Sequence, residues 1–252
     1  MKIVHFLLNN VPKYGSVYND KVKAIEGNIF KNFSETKNLH ELSSLKFLPP
    51  VFPTKIVAVG LNYKDHAEEF GSPIPEEPLI FLKPATAILP HRGKIIYPEM
   101  SKRVDYEGEL GVIIKRRASR VSVDEAEKFI LGYTCVNDVT ARDLQRKDVQ
   151  FTRGKGFDTF APCGPFIVTD LDVKDIVVQT YLNGELKQNS STSKMIFKIP
   201  FIVSFISHIM TLMPGDLIST GTPAGIGPMN VGDKVEVFIE GIGKLENVVV
   251  KV

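Results

Sequence analysis

Residues Asp105–Ile114 read DYEGELGVII, and the side on which their acids fall decides how the chain is read. Alternate side chains of an extended chain share a face, so Asp105, Glu107 and Glu109 line one side. Tyr106, Leu110, Val112 and Ile114 supply an apolar stripe on the other. Carboxylates that close repel one another, and strands disfavour Asp and Glu, so the segment needs a compensating partner. Two readings are open. Either Glu107 and Glu109 form a solvated edge, or they are oxygen ligands of a hard cation such as Mg2+, Mn2+ or Ca2+.

The 252-residue chain is long enough for one large domain or a main domain with a small appendage. Hydrophobic residues at 43% and charged residues at 24% are ordinary for a soluble globular protein. A formal net charge of +2, with no basic run interleaved with aromatics, argues against nucleic acid or an anionic membrane as partner. The apolar run Ile3–Leu8 is broken by His5 and followed by Asn9 and Asn10, unlike a secretory signal. Phe201–Met213 is too short to span a bilayer and contains Ser204, Ser207 and His208. Cys135 and Cys163 are too few for a disulfide framework and lack a zinc-like spacing, so both are read as reduced packing residues. The expected compartment is the cytoplasm.

Strand-like pieces at Lys2–Leu8, Tyr14–Tyr18 and Lys21–Ile25 alternate with polar turns. They end at LPPVFPTK (48–55), whose prolines interrupt both helix and ladder. This sets a small N-terminal region, 1–50, against a main domain, 51–252. KIVAVGLNY (55–63) predicts a strand, Tyr63–Phe70 a short helix closed by Gly71, and Leu79–Leu82 a strand. The stretch from Ser122 to Glu125 carries a capping-box pattern for a helix ending near Gly132. GYTCVND (132–138) predicts a strand, VTARDLQRK (139–147) a helix, and Val149–Gly164 an ordered loop. A strand at Gly164–Val168, a hairpin about Asn183-Gly184 and a helix from near Pro200 follow. Strands at Asp216–Thr220, Lys234–Ile239 and Leu245–Val252 complete the chain. Strands outnumber helices without regular βαβ alternation, which predicts a β-rich α+β fold.

Asp138 stands where a strand passes into a helix, and is either a helix cap or a third oxygen ligand beside Glu107 and Glu109. Arg142 and Gln145 follow four and seven residues on, along one helical face, a spacing that by itself is commonplace. His66 precedes Glu69 by three residues, so the two meet on a helix. Such a pair is surface decoration, or it is an imidazole held by a carboxylate as a general base for water. Lys155 sits between two glycines in RGKGFDTF (153–160), either in a flexible basic loop or in close approach to a ligand. GTPAGIG (221–227) lacks the endings of a P-loop and of a dinucleotide fingerprint, which rejects a nucleotide site. His5, His40, His91 and His208 have no patterned partners and are read as structural.

Taken in order, these segments resemble the fumarylacetoacetate hydrolase family from about Lys55 to Val252. The resemblance is carried by GLNYKDHAEE (60–69), PLIFLKP (78–84), DYEGELGVII, NDVTARDLQ (137–145), RGKGFDTFAPCGP (153–165), LNGELKQ (182–188) and LMPGDLISTGTPAGIG (212–227). Residues 1–50 look like the short N-terminal region often attached to these catalytic domains. The resemblance implies a mixed β-sheet roll with a few short helices, assembled as a homodimer. It implies that Glu107, Glu109 and Asp138 hold the metal, Mg2+ first, with Mn2+ or Ca2+ as alternatives. His66 and Glu69 match the family's water-activating dyad, and Lys155, Arg142 and Gln145 match substrate-contacting positions. Thr222 lies in the segment that borders the family's pocket. Larger fumarylacetoacetases carry a further metal-site Asp before the His, whereas KIVAVG (55–60) is apolar here, which favours the smaller acylpyruvase-like and isomerase-like branch.

The chemistry this implies starts from a 2-oxo acid of the form R–CO–CH2–CO–COO−, chelating the metal through its carboxylate and 2-oxo oxygen. Three carboxylates outweigh one divalent cation by a single negative charge, and Arg142 and Lys155 reverse that balance. The first expectation is hydrolytic C–C cleavage of an acylpyruvate, with His66 and Glu69 activating the water. Loss of CO2 from oxaloacetate, or a proton shift in 2-hydroxyhepta-2,4-diene-1,7-dioate, would use the same enolate. A non-catalytic metal-dependent binder of oxo acids is the rival of another class; passive binding needs neither the dyad nor Lys155. The proline-rich loop Gly71–Pro78 follows the dyad closely and is read as a lid from its position.

Overall fold

In the computed structural model, which describes residues 1–69 and 71–251, the acidic segment is two strands rather than one. Val104–Tyr106 and Gly108–Ile114 belong to different sheets, and Glu107 stands at the break between them. A side chain at Gly108 would meet the neighbouring sheet, since a Cβ there would lie 2.0 Å from Thr180 Oγ1. Every residue from Val104 to Ile114 is buried, the acids included. The solvated-edge reading is therefore wrong. The alternation here separates two buried faces of different chemistry, not core from solvent.

The described residues form a twelve-stranded mixed sheet, a five-stranded sheet and a three-stranded one, the expected β-rich α+β roll. The N-terminal strands Lys2–Leu8, Val11–Tyr18, Lys21–Gly27 and Phe33–Glu41 form one end of the large sheet. Lys2–Leu8 pairs antiparallel with Ala161–Val168, so the sheet runs on into residues beyond 51 without a break. Next in order come Ile130–Asn137, Gly108–Ile114, Leu217–Ser219, Ile56–Val59 and Ile80–Lys83. The five-stranded sheet contains the hairpin Val177–Leu182 and Glu185–Ser191, turning at Asn183-Gly184 as expected. The main core lies where Leu110, Val112 and Ile114 meet Val178 and Val237 of the five-stranded sheet.

Among the described residues, four α-helices dress these sheets: α1 (Lys64–Glu69), α2 (Arg142–Asp148), α3 (Thr152–Lys155) and α4 (Ile199–Ile209). α4 has Pro200 in its first turn, where a missing N–H is tolerated, and drives Ile202, Val203 and Ile206 into the main core. Each such side chain contributes roughly 1.5–3 kcal/mol on burial. Phe70, expected to end α1, and Val252, expected to end the last strand, lie outside the described residues.

Three local expectations are corrected. Ser122 begins a 3-10 helix, Val123–Phe129, and its side chain makes no capping bond, so the capping-box pattern misleads. Thr140–Ala141 is extended and pairs with Val104–Asp105, which delays the expected helix to Arg142. Val149–Gly164 is not all loop: α3 lies inside it, and the strand expected from Gly164 begins at Ala161. Cys135 and Cys163 are free and buried, and burial pushes both thiols up. No described helix is long and apolar enough to cross a membrane.

Asp216 ties the boundary segment to the sheet. Its Oδ1 accepts from Thr54 N (3.0 Å), Thr54 Oγ1 (2.7 Å) and Lys55 N (3.2 Å). Its Oδ2 accepts from Met213 N (2.8 Å) and pairs with the Lys55 ammonium. Residues 56–58 then pair in parallel with Leu217–Ser219. Burial alone would raise the carboxyl's pKa, but the hydrogen bonds from Lys55 and Thr54 hold it below the usual range. Asp216→Ala should destabilise the fold by about 3 kcal/mol near neutral pH, measured by denaturant unfolding. Because the folded pKa is depressed, this stabilisation is present above the unfolded value of about 3.9 and fades as pH falls through the folded one. The penalty of the substitution should therefore shrink in acid, and an equal penalty at neutral and strongly acid pH would contradict its ionic origin.

Candidate active site

The two sheets containing the acidic segment, together with α1, α2 and α3, enclose an open cavity of about 620 Å³. α1 presents His66 and Glu69 on one wall, α2 presents Arg142 and Gln145, and α3 presents Lys155. Glu107 reaches the cavity from the strand break, and Thr222 from the glycine-rich loop. Seven of the nine residues singled out from the sequence thus line one space. Glu109 and Asp138, each 1% exposed, lie deeper.

Glu107, Glu109 and Asp138 each place a carboxylate oxygen within 4.8 Å of the others. Antiparallel pairing brings Gly108 opposite Asn137, and Asp138 N donates to Glu107 O at 2.8 Å, so the three acids converge from adjacent strand ends. Asp138 does not cap α2, whose N-cap is Ala141. Its carboxylate pairs instead with the ammonium groups of Lys83 and Lys155. Glu107 pairs with Arg142 and with Lys155 Nζ at 2.8 Å, and accepts from Thr140 Oγ1 at 3.2 Å.

Glu109 differs from the other two, because its partners are neutral. Oε2 accepts from Ser219 Oγ (2.6 Å) and Gly221 N (2.8 Å). Gly221 has φ +97, and a Cβ there would lie 2.7 Å from Asn62 Cβ, so only glycine delivers this amide.

The electrostatics follow from those partners. Burial alone would raise the Glu107 carboxyl's pKa, but Lys155 and Arg142 hold it down to about 2. Burial raises Glu109 well above the ordinary value, and the charges on Asp138 and Glu107 raise it further. The two lysines on Asp138 move in opposite directions. Burial depresses Lys83 despite Asp138, with Lys155 repelling it; Lys155 is raised because Asp138 and Glu107 together overcome its burial. Three hard oxygen donors converge, and one of them has no cationic partner. That donor set fits a divalent cation, which would relieve the repulsion that raises Glu109.

Sequence reasoning missed Lys83. It is 1% exposed, and its ammonium also donates to Val139 O at 3.1 Å. Lys83 shares a strand face with Phe81, which lines the cavity and lies under Lys155 Nζ at 5.1 Å, a placement that no pattern in the sequence marks. Asp105, left out of the ligand set, is fully buried and binds Arg103 Nε (2.8 Å) and Arg142 Nε (2.9 Å). The expected charge balance was thus incomplete, because Lys83, Asp105 and Arg103 also belong to the cluster.

The remaining residues hold positions around it. His66 Nδ1 lies 3.1 Å from Glu69 Oε2, and both Glu69 oxygens accept from Gly225 N at 3.2 Å. Gln145 Oε1 accepts from Arg142 Nη1 at 2.6 Å. Thr222 Oγ1 donates to Gly108 O (3.0 Å) and accepts from Gln188 Nε2 (2.8 Å), so its hydroxyl shapes the wall.

Comparison with known proteins places this geometry. Residues 55–250 match the family described as fumarylacetoacetate (FAA) hydrolase C-terminal, and residues 1–50 match one described as Rv2993c-like, N-terminal. The chain is 42% identical to oxaloacetate tautomerase YisK of Bacillus subtilis, over 83% of this chain and 74% of that one. The crystal structure of 2-hydroxyhepta-2,4-diene-1,7-dioate isomerase from Mycobacterium marinum superposes with a TM-score of 0.93 at 41% identity, covering 100% of this chain and 98% of that one. Fumarylpyruvate hydrolase from Pseudomonas aeruginosa, in complex with Mn2+ and pyruvate, gives a TM-score of 0.74 at 32% identity, covering 79% of this chain and 90% of that one. With a buried acidic triad, a lysine-bridged cavity and matches of this extent, the chain belongs to the fumarylacetoacetate hydrolase family and to its smaller branch.

Proposed function

We propose that the protein enolises 2-oxo acids at C3 with the help of a divalent cation, interconverting their keto and enol forms. The observation that carries this reading is the placement of Lys155, whose ammonium touches both Glu107 and Asp138 at the cavity wall. It fixes positive charge beside the acidic cradle, where a 2-oxo oxygen would gain negative charge as the C3 proton leaves. The names of the tautomerase and isomerase relatives support the same chemistry. Glu107, Glu109 and Asp138 would hold the cation, Mg2+ first and Mn2+ or Ca2+ as alternatives, and when bound it supplies Lewis acidity to the substrate oxygens.

The chain's own groups then divide the work. With Nδ1 donating to Glu69, the neutral tautomer would put the basic lone pair of His66, which lines the cavity, on Nε2. His66 would take the C3 proton, the C–H electron pair forming the C2–C3 double bond as the C2–O π pair moves to oxygen; that oxygen then takes a proton from water to give the enol, and His66 returns its own proton to solvent. Lys155 stabilises the oxyanion in between, and Arg142, held by Asp105 and Glu107, keeps the floor rigid. Leu79, Phe81 and Phe151 limit water around the reacting carbon.

Hydrolysis of an acylpyruvate, the first expectation from the sequence, is the second reading, and the His66–Glu69 pair favours it. The same base would take a proton from water, and the hydroxide would add to the distal carbonyl. The C3–C4 bond would then break, its electron pair passing to C3 as the pyruvate enolate.

Exhaustive chelation should abolish keto–enol exchange of oxaloacetate, followed by deuterium uptake at C3, and Mg2+ or Mn2+ should restore it. Exchange that survives chelation would end the cation-dependent reading. Glu109→Gln should weaken Mn2+ binding by about 10- to 100-fold in calorimetry, with the circular dichroism spectrum unchanged. His66→Ala should lower catalysed exchange by about 100- to 10,000-fold. Should cleavage of acylpyruvates fall in this variant while exchange persists, the dyad serves water activation and the hydrolytic reading replaces the first.

A further inference from the structure

Resting on the 2-oxo acid reading above, we propose that Arg146 is a specificity-determining residue that binds a second carboxylate, so that the preferred substrates are 2-oxo dicarboxylates. Arg146 follows Arg142 by one turn of α2, on the same face and about 6 Å along the axis. Arg142 is buried at the floor, whereas Arg146 is exposed and lines the same cavity.

The two arginines differ in their commitments. Among the described residues, Arg146 makes no hydrogen bond and no ion pair. Every other charged side chain lining the cavity is engaged. Arg103 and Arg142 bind Asp105, Arg142 and Lys155 bind Glu107, and Glu69 holds His66. A planar guanidinium at the rim is suited to a bidentate grip on a carboxylate.

Charge balance points the same way. Asp105, Glu107, Glu109 and Asp138 face Arg103, Arg142, Lys83 and Lys155, four acids against four cations. A divalent ion therefore leaves the cluster with an excess of two positive charges. With Arg146 counted the excess is three, of which a monoanionic oxo acid neutralises one and a dianion two. A substrate ending in an alkyl group would lie on Leu79, Phe81 and Phe151 and leave Arg146 in water.

The test uses two ligands of equal length, 2-oxoglutarate and 2-oxopentanoate, titrated calorimetrically into the Mn2+-loaded full chain. The wild type should bind the diacid about 10- to 100-fold more tightly. Arg146→Gln should bring the ratio close to one by weakening only the diacid, and Arg146→Lys should keep part of the preference. Absence of preference in the wild type, a preference that survives Arg146→Gln, or equal weakening of both ligands would overturn the assignment. Because binding is read without turnover, failure of the enolisation reading would appear separately, as a diacid preference without deuterium exchange.

Discussion

Repulsion among Glu107, Glu109 and Asp138 is the constraint around which this fold is built. Three carboxylates with oxygens within 4.8 Å of one another are unfavourable in any buried setting, and the surrounding structure answers them one at a time. Lys83 comes from the edge strand Ile80–Lys83, Lys155 from α3 and Arg142 from α2. Each compensating charge fixes one element against the sheet break at Glu107. The short helices, too brief to be stable alone, are therefore placed by ion pairs as much as by apolar packing. Glu109 is the exception, answered by a hydroxyl and an amide only. It is the acid for which an added cation changes most.

Much of this was legible in the sequence. The strand-rich character followed from β-branched runs and turn signals, and the hairpin at Asn183-Gly184 from its dipeptide. The start of α4 was also clear from Pro200. What failed was short and governed by tertiary contact. The alternation in DYEGELGVII correctly separated acids from apolar residues but could not show that both faces were buried, nor that the strand breaks at Glu107. Local propensity favoured helix from Val139, yet Thr140–Ala141 joined Val104–Asp105 instead. A two-residue ladder contributes little to a sequence pattern and needs partners 35 and 37 positions away.

The site shows the same division. His66, Glu69, Arg142 and Gln145 could be paired from helical spacing, because their contacts are local. Lys83 could not, since its partner Asp138 lies 55 residues away and nothing in FLKP marks a buried ammonium. Asp105 was seen but undervalued for a related reason. Its role is to hold Arg142 and Arg103, and such a supporting acid has no spacing signature of its own.

A cluster satisfied this fully has little freedom to choose a substrate. Arg142, Lys155 and Lys83 are each bound to acids, and moving any of them would expose a buried charge of the opposite sign. On the proposed reading, the floor would provide what all 2-oxo acids share, namely compensation for a carboxylate and a developing oxyanion. Discrimination must come from groups that are not needed to hold the floor together. These lie at the rim, on α1 and on the outward turn of α2, where side chains are partly exposed and a change leaves the ion pairs below intact. Under the proposed enolisation, one such floor would serve proteins that carry tautomerase, isomerase and hydrolase names. Under that proposal, the reaction outcome would be set by which proton the His66 wall can reach and by what the outer turn of α2 binds.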